Sequence, residues 1–321
     1  MRILIAESEG YSREALDVYR SLGEIVLADA DRESLKALLP EADVLVVRLR
    51  HVIDADMLSH PRKLKVVVSP TTGLNHLDVE LLRESGVAVL SLKGESDFLR
   101  DVTATAELAW SLLLNLFRPV CAAREHVLAG HWNRDAFKGR ELKGKVLGIV
   151  GYGRLGRMMA LYGGAFRMRV LATDPCVNVT KEDVSLVSLD DLLRQSDVVS
   201  LHVPLNEETS GFFDARCFEA MKPGACFINT SRGELVDERA LHAALQSGHI
   251  AGAALDVLCG ETSRQSDWLT SKPLLSYARS HDNLIIVPHI GGATSDSMAA
   301  TEIFMAVKLQ HFLTEQQHSD L

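Results

Sequence analysis

The sequence predicts an α/β fold made of two doubly wound parallel-sheet domains. Three observations carry that expectation. Short β-rich runs alternate with amphipathic segments, this alternation occurs on both sides of a long helical stretch, and one strand runs straight into a glycine-rich turn. At 321 residues, 47% hydrophobic and 24% charged, the chain also exceeds the usual size of a single compact core.

In the first ninety or so residues the strand candidates are Arg2 to Ala6, Glu24 to Ala28, Val44 to Arg48, Lys65 to Ser69 and Val87 to Leu92. Ser12 to Arg20, Arg32 to Leu39 and Asp78 to Ser85 carry helical spacing between them, with Gly86 placed as a C-terminal stop. A helical stretch from about Asp101 to Gly130 follows. It is interrupted near Pro119, which lacks the amide a continuing helix needs. The alternation restarts with Lys145 to Val150, Arg169 to Thr173, Val198 to His202, Ala225 to Asn229, Ala251 to Val257 and Leu284 to Val287, six strands of a second sheet. Ser295 to Leu313 reads as a closing helix.

A net charge of -9 with no block of Lys and Arg offers nucleic acid no attractive field, so no such partner is expected. The start, Met1-Arg2-Ile3-Leu4-Ile5-Ala6-Glu7, lacks the pattern of a secretory signal. The longest apolar stretch, around Leu108 to Phe117, contains Ser111 and Asn115 and is too short to span a bilayer. No membrane association is expected, and the compartment expected is the cytoplasm. Cys121, Cys176, Cys217, Cys226 and Cys259 are scattered and odd in number, which suits reduced thiols and neither a disulfide framework nor a metal site.

Val146-Leu147-Gly148-Ile149-Val150 leads into Gly151-Tyr152-Gly153-Arg154-Leu155-Gly156, and Arg157 to Phe166 continues as a helix. Strand, turn and helix together form the context that gives G-x-G-x-x-G its meaning as a Rossmann dinucleotide site. Gly151 permits the tight turn, Gly153 lets backbone approach a pyrophosphate, and Gly156 allows close packing of helix on strand. The amides of Arg154 and Leu155 face the phosphates at the positive helix end. Asp174, about twenty residues on at the end of the next strand, would accept from the adenosine ribose and repel a 2'-phosphate, which favours NAD over NADP.

Three further segments each place an ionisable residue just after an apolar strand, where open α/β sheets bind ligands. They hold Arg232 in Thr230-Ser231-Arg232-Gly233, Glu261 in Cys259-Gly260-Glu261, and His289 in Pro288-His289-Ile290-Gly291-Gly292-Ala293. Alone, each suits an ordinary structural role. Together they supply what carbonyl reduction needs: an arginine to grip a carboxylate and polarise the carbonyl, a histidine to exchange the hydroxyl proton, and a carboxylate to orient and stabilise its charged form.

On these motifs, and from the Val47-Arg48 region to Gly291-Gly292-Ala293, the chain resembles the D-isomer-specific 2-hydroxyacid dehydrogenases, the family of phosphoglycerate, D-lactate and glycerate dehydrogenases. The resemblance implies that Arg232 binds and polarises a small 2-hydroxy or 2-keto acid, that His289 is the acid/base, and that Glu261 is its partner. It implies that Thr72 in Ser69-Pro70-Thr71-Thr72-Gly73 touches cofactor or substrate, that the Thr72 and Gly73 amides hold the substrate carboxylate, and that His202-Val203-Pro204, Thr230 and Asp256 are cofactor contacts. It also implies a flavodoxin-like substrate lobe at residues 1–99, completed by a C-terminal helix at 294–321, a Rossmann cofactor lobe at 100–293, and a homodimer formed through the 101–130 helix. Position 69 is Ser where phosphoglycerate dehydrogenases usually carry Arg, and Lys93 to Asp101 holds a charged insertion at the lobe crossing. Arg48, Lys93 and Arg100, if turned toward substrate, would favour a second anionic group. The pairing of His289 with an acid argues against formate dehydrogenase, whose histidine is paired with glutamine. An NADH-sensing scaffold, like the transcriptional corepressors that share this fold, would carry the same motifs without turnover.

Overall fold

A computed structural model describes residues 1–59, 63–179, 183–262 and 267–319. In chain order the first elements are β1 (Arg2–Ile5), α1 (Arg13–Leu22), β2 (Glu24–Leu27), α2 (Arg32–Leu38), β3 (Val44–Val46), β4 (Val66–Ser69), α3 (Val79–Glu84), β5 (Ala88–Ser91) and α4 (Ser96–Leu99). Then come α5 (Ala104–Phe117), α6 (Val120–Leu128), β6 (Val146–Val150), α7 (Arg154–Ala165), β7 (Arg169–Thr173), β8 (Val184–Leu186), α8 (Leu189–Gln195) and β9 (Val198–Leu201). The last are α9 (Ala215–Ala220), β10 (Cys226–Asn229), α10 (Glu238–Gln246), β11 (Gly252–Leu255), α11 (Pro273–Ala278), β12 (Leu284–Ile286) and α12 (Ser295–Ser319).

The chain divides into two compact units, Met1–Val102 with Thr294–Leu321, and Thr103–Ala293. In the first, five parallel strands take the order β2-β1-β3-β4-β5, the flavodoxin arrangement. Because side chains alternate across a strand, Ile3, Ile5, Val44, Val46, Val66 and Val68 face one side, against Ala15 and Tyr19 of α1 and Met305, Ala306 and Leu309 of α12. Leu4, Leu45 and Val67 face the other, against Leu35 and Leu82. Ser12 starts α1 by accepting from the Ala15 amide, and Asp78 does the same for α3 at Leu81.

The second unit holds seven parallel strands in the order β12-β11-β10-β9-β6-β7-β8. The order reverses between β6 and β9, which leaves a crevice at their carboxyl ends. Leu147, Ile149 and Ile228 pack under α5 and α7, while Phe227 sits on the opposite face with Phe213 and Phe218. One feature differs from the sequence expectation: the sheet has a seventh strand, the edge strand β8, whose three residues are too short a pattern to read. The helical stretch is interrupted where the proline predicts, as two helices, α5 and α6, separated at Arg118 and Pro119. Among the described residues no helix is long and apolar enough to cross a membrane.

Phe227 is fully buried, with its ring centroid 4.8 Å from that of Phe213 and 5.3 Å from that of Phe218. Phe227→Ala should therefore lower unfolding free energy by about 3–5 kcal/mol, read from a urea titration followed by circular dichroism.

Candidate active site

The glycine turn is built by contacts that exclude larger side chains. Gly151 has φ 93°, and a Cβ there would lie 2.5 Å from the His202 carbonyl oxygen. A Cβ on Gly156 would lie 2.2 Å from the Gly151 carbonyl oxygen, so α7 can approach the turn only without a side chain at this position. A Cβ on Gly153 would meet nothing within 4 Å, and that open space before the first turn of α7 is where a pyrophosphate can reach backbone. Asp174, directly after β7, accepts from the Tyr152 amide with Oδ2 and from the Cys176 amide with Oδ1, at 2.8 Å each, which ties the acidic residue to the turn.

Across the crevice, His202 follows β9. Its Nε2 pairs with Ser200 Oγ at 2.8 Å, and burial pushes its pKa down to about 4, so the ring is neutral at physiological pH. His202 Nδ1 and Thr230 Oγ1 are buried without a hydrogen-bond partner among the described residues. Unsatisfied buried polar atoms beside a glycine turn suit a polar ligand such as a dinucleotide.

Arg232, Glu261 and His289 follow β10, β11 and β12. The β10 end is locked locally: Asn229 Oδ1 accepts from the Ser231 amide, and Asn229 Nδ2 donates to the Arg232 carbonyl at 2.8 Å. A Cβ on Gly233 would lie 2.0 Å from the Leu258 carbonyl carbon, so the Arg232 loop and the loop carrying Glu261 cross with backbones nearly touching. His289 Nδ1 donates to Glu261 Oε1 at 2.6 Å, both side chains being roughly three-quarters buried. Asp256, 1% exposed, accepts from the Ile290 amide at 2.7 Å and the Gly291 amide at 2.9 Å, while its own carbonyl accepts from the His289 amide. With Nδ1 engaged, Nε2 of His289 is the nitrogen left to exchange a proton.

The family pattern described as "D-isomer specific 2-hydroxyacid dehydrogenase, NAD binding domain" matches residues 110–291, over half the chain. A hydroxypyruvate reductase of Thermotoga maritima is 35% identical over 286 residues, 89% of this chain and 90% of that protein. The chain belongs to the D-isomer-specific 2-hydroxyacid dehydrogenases. A D-3-phosphoglycerate dehydrogenase of Mycobacterium tuberculosis is 36% identical over 284 residues, covering 87% of this chain but 51% of that protein, so the chain spans about half the length of such relatives. The crystal structure of D-lactate dehydrogenase from Aquifex aeolicus, complexed with NAD and lactic acid, superposes with a TM-score of 0.79 at 27% identity, over 99% of this chain and 97% of that one. This dehydrogenase is accordingly an NAD-dependent enzyme acting on 2-hydroxy acids.

In the dehydrogenase's first unit, the turn with Thr72 and Gly73 follows β4. Thr71 Oγ1 donates to the Gly73 carbonyl at 2.9 Å, and Ser69 Oγ lies 2.9 Å from Thr71 Oγ1 and 3.1 Å from Nε2 of buried His76. Ser69 thus anchors this turn from below. Arg48, after β3, is paired with Glu302 at 2.6 Å. Arg100 is 71% exposed and 3.9 Å from Asp97, Lys93 is exposed, and Glu95 is paired with Lys308. Gly233, His76 and the anchoring use of Asp256 were not legible in the sequence, because each depends on which loops the sheet order brings together.

The Gly233 crossing generates a test. Gly233→Ala should separate the Arg232 and Glu261 loops and lower kcat/KM by about a hundredfold, while circular dichroism stays native, because misplacement by about an ångström is enough.

Proposed function

We propose that this enzyme interconverts a small D-2-hydroxy acid and its 2-keto acid in the cytoplasm, with Arg232, Glu261 and His289 as the catalytic residues. The observation that supports this best is the 2.6 Å contact between His289 and Glu261 at the carboxyl ends of adjacent strands. In the direction of reduction, protonated His289 donates from Nε2 to the carbonyl oxygen as it becomes a hydroxyl, and Glu261 stabilises the ring's charge before transfer. Arg232 holds the carboxylate in a forked contact and draws electron density from the adjacent carbonyl. The bound nicotinamide supplies hydride exchange at substrate C2.

Gly151, Gly153, Gly156 and the amides of Arg154 and Leu155 would hold the NAD pyrophosphate, and Asp174 the adenosine ribose. Thr72, His202, Val203, Pro204, Thr230 and Asp256 complete the proposed cofactor contacts. Thr72 and Gly73 amides would hold the substrate carboxylate beside Arg48. Of the three cations that could favour a second anionic group, Arg48 is paired and Lys93 and Arg100 are exposed, which favours a 2-keto acid with an uncharged substituent, as in the hydroxypyruvate named for one relative.

NADH consumption with a panel of 2-keto acids tests the reading. His289→Ala should lower kcat by about 10²–10⁴-fold, and Glu261→Gln should lower it by a smaller factor with native circular dichroism. NADH binding without turnover of any acid would instead support a sensor.

We also propose a homodimer formed through α6. No residue of α6 is buried in this chain, and Val120, Val127, Leu128 and Trp132 are exposed, Trp132 by 90%. They adjoin a groove of about 380 Å³ lined by Pro119, His126, Trp132 and Phe137 among others. An apolar surface of this kind on a family whose members pair is best covered by a second copy. Val127→Asp with Trp132→Asp should halve the mass seen by sedimentation equilibrium, and an unchanged mass would remove α6 from the interface.

A further inference from the structure

Arg48 sits at the carboxyl end of β3, beside the turn that follows β4. The Val47 amide donates to the Val68 carbonyl, so Arg48 follows β3 at the edge where β4 ends at Ser69. The turn with Thr72 and Gly73 begins there. A guanidinium in this position has the reach to meet the substituent of an acid whose carboxylate lies on that turn.

Its charge is already engaged. Arg48 donates to Glu302 Oε1 at 2.6 Å, and Glu302 Oε2 accepts from the Ser12 amide at 2.7 Å, so both carboxylate oxygens are used within this unit. Glu302 is 1% exposed and stands on α12, the helix that returns from the far end of the chain. A second buried carboxylate, Glu7 after β1, accepts from the Arg48 amide at 2.9 Å. Arg50 faces Asp29 at 3.7 Å. Among the described residues, three carboxylates therefore stand around these two guanidiniums. Arg48 also lies over the Tyr11 ring at 4.9 Å, which leaves the guanidinium little freedom to turn away. Its Nε is buried without a hydrogen-bond partner among the described residues, one donor not yet committed.

We propose that Glu302 is a specificity-determining residue: by neutralising and holding Arg48, it makes the enzyme discriminate against 2-keto acids with a second anionic group and accept those with an uncharged substituent. This rests on the function proposed above, in which the Thr72 turn receives the substrate carboxylate. The physical reason is that a substrate dianion gains a charge-assisted contact only from a cation whose partner it can replace. Glu302, held also by a backbone amide and packed out of water, is a hard partner to displace. Burial pushes the Glu302 carboxyl above its ordinary range, while the Ser12 amide and Arg48 oppose that rise. Specificity at β3 is thereby written by a residue some 250 positions away in sequence, as the 254-residue separation of the pair records.

The test is the ratio of kcat/KM for oxaloacetate to that for pyruvate, measured with NADH in wild type, Glu302→Gln and Glu302→Ala. Wild type should favour pyruvate. Glu302→Gln, which keeps the volume and one acceptor but removes the charge, should raise the ratio about tenfold or more, the scale of one charge-assisted contact. Adding Arg48→Met to Glu302→Gln should return the ratio toward the wild-type value, an outcome that a merely structural role for Glu302 would not produce. Glu302→Ala should act in the same direction, and if it fails to fold by circular dichroism, Glu302→Gln carries the test. An unchanged ratio in folded Glu302→Gln, or a wild type that already favours oxaloacetate, overturns the proposal. If wild type reduces neither these two acids nor any other of the panel, the proposed function falls, and calorimetric titration of the NADH-loaded variants with the same two acids reads the ratio as affinities. No binding of either acid to any variant would overturn both.

Discussion

His289 holds a backbone conformation, φ 51°, that residues other than glycine avoid at a cost of about 1–3 kcal/mol, and the buried carboxylate of Asp256 keeps it there. Asp256 closes β11, takes the two amides that follow His289, and offers its own carbonyl to the His289 amide. These bonds offset the burial of the carboxylate, which raises its pKa from the ordinary value while the Ile290 and Gly291 amides pull it down. With the backbone fixed, Glu261 meets the imidazole at Nδ1. The histidine is therefore oriented from its main chain as well as from its ring.

The same economy recurs around the sheet of the second unit. Parallel strands present their loops at one edge, so residues that are far apart in sequence become neighbours without any long-range device beyond strand order. The Gly233 crossing against Leu258 and Cys259, and the Gly151 contact with His202, are close approaches of backbone to backbone. In each, the glycine is required by what it faces, and the functional side chain is the residue just before it, Arg232, or the one across the crevice, His202. Precise placement here comes from main-chain packing, which side-chain motion cannot easily undo.

In the first unit the sheet is closed by a helix from the other end of the chain. α12 packs Met305, Ala306 and Leu309 on the strand face and brings Glu302 to Arg48 and Lys308 to Glu95. A domain interrupted in sequence can in this way place charges that no local pattern contains. Cations that look available in the linear chain are then spoken for, with direct consequences for what kind of anion the unit can receive.

The strand-helix alternation, the glycine turn after Val150 and the placement of Arg232, Glu261 and His289 after successive strands were legible in the sequence, because each is a local pattern: periodicity of burial, a backbone that tolerates only glycine, an ionisable group after an apolar strand. The three-residue strand β8 lay below what periodicity can resolve, and the break at Pro119 could be located but not the surface that α6 leaves uncovered. Tertiary structure alone decided that Asp256 serves the His289 loop, that Gly233 lets two loops cross, and that Arg48 is matched by Glu302. The physical reason is common to all three: a pairing energy depends on distance in space, and a strand order that places residue 48 beside residue 302 leaves no trace in the spacing of either.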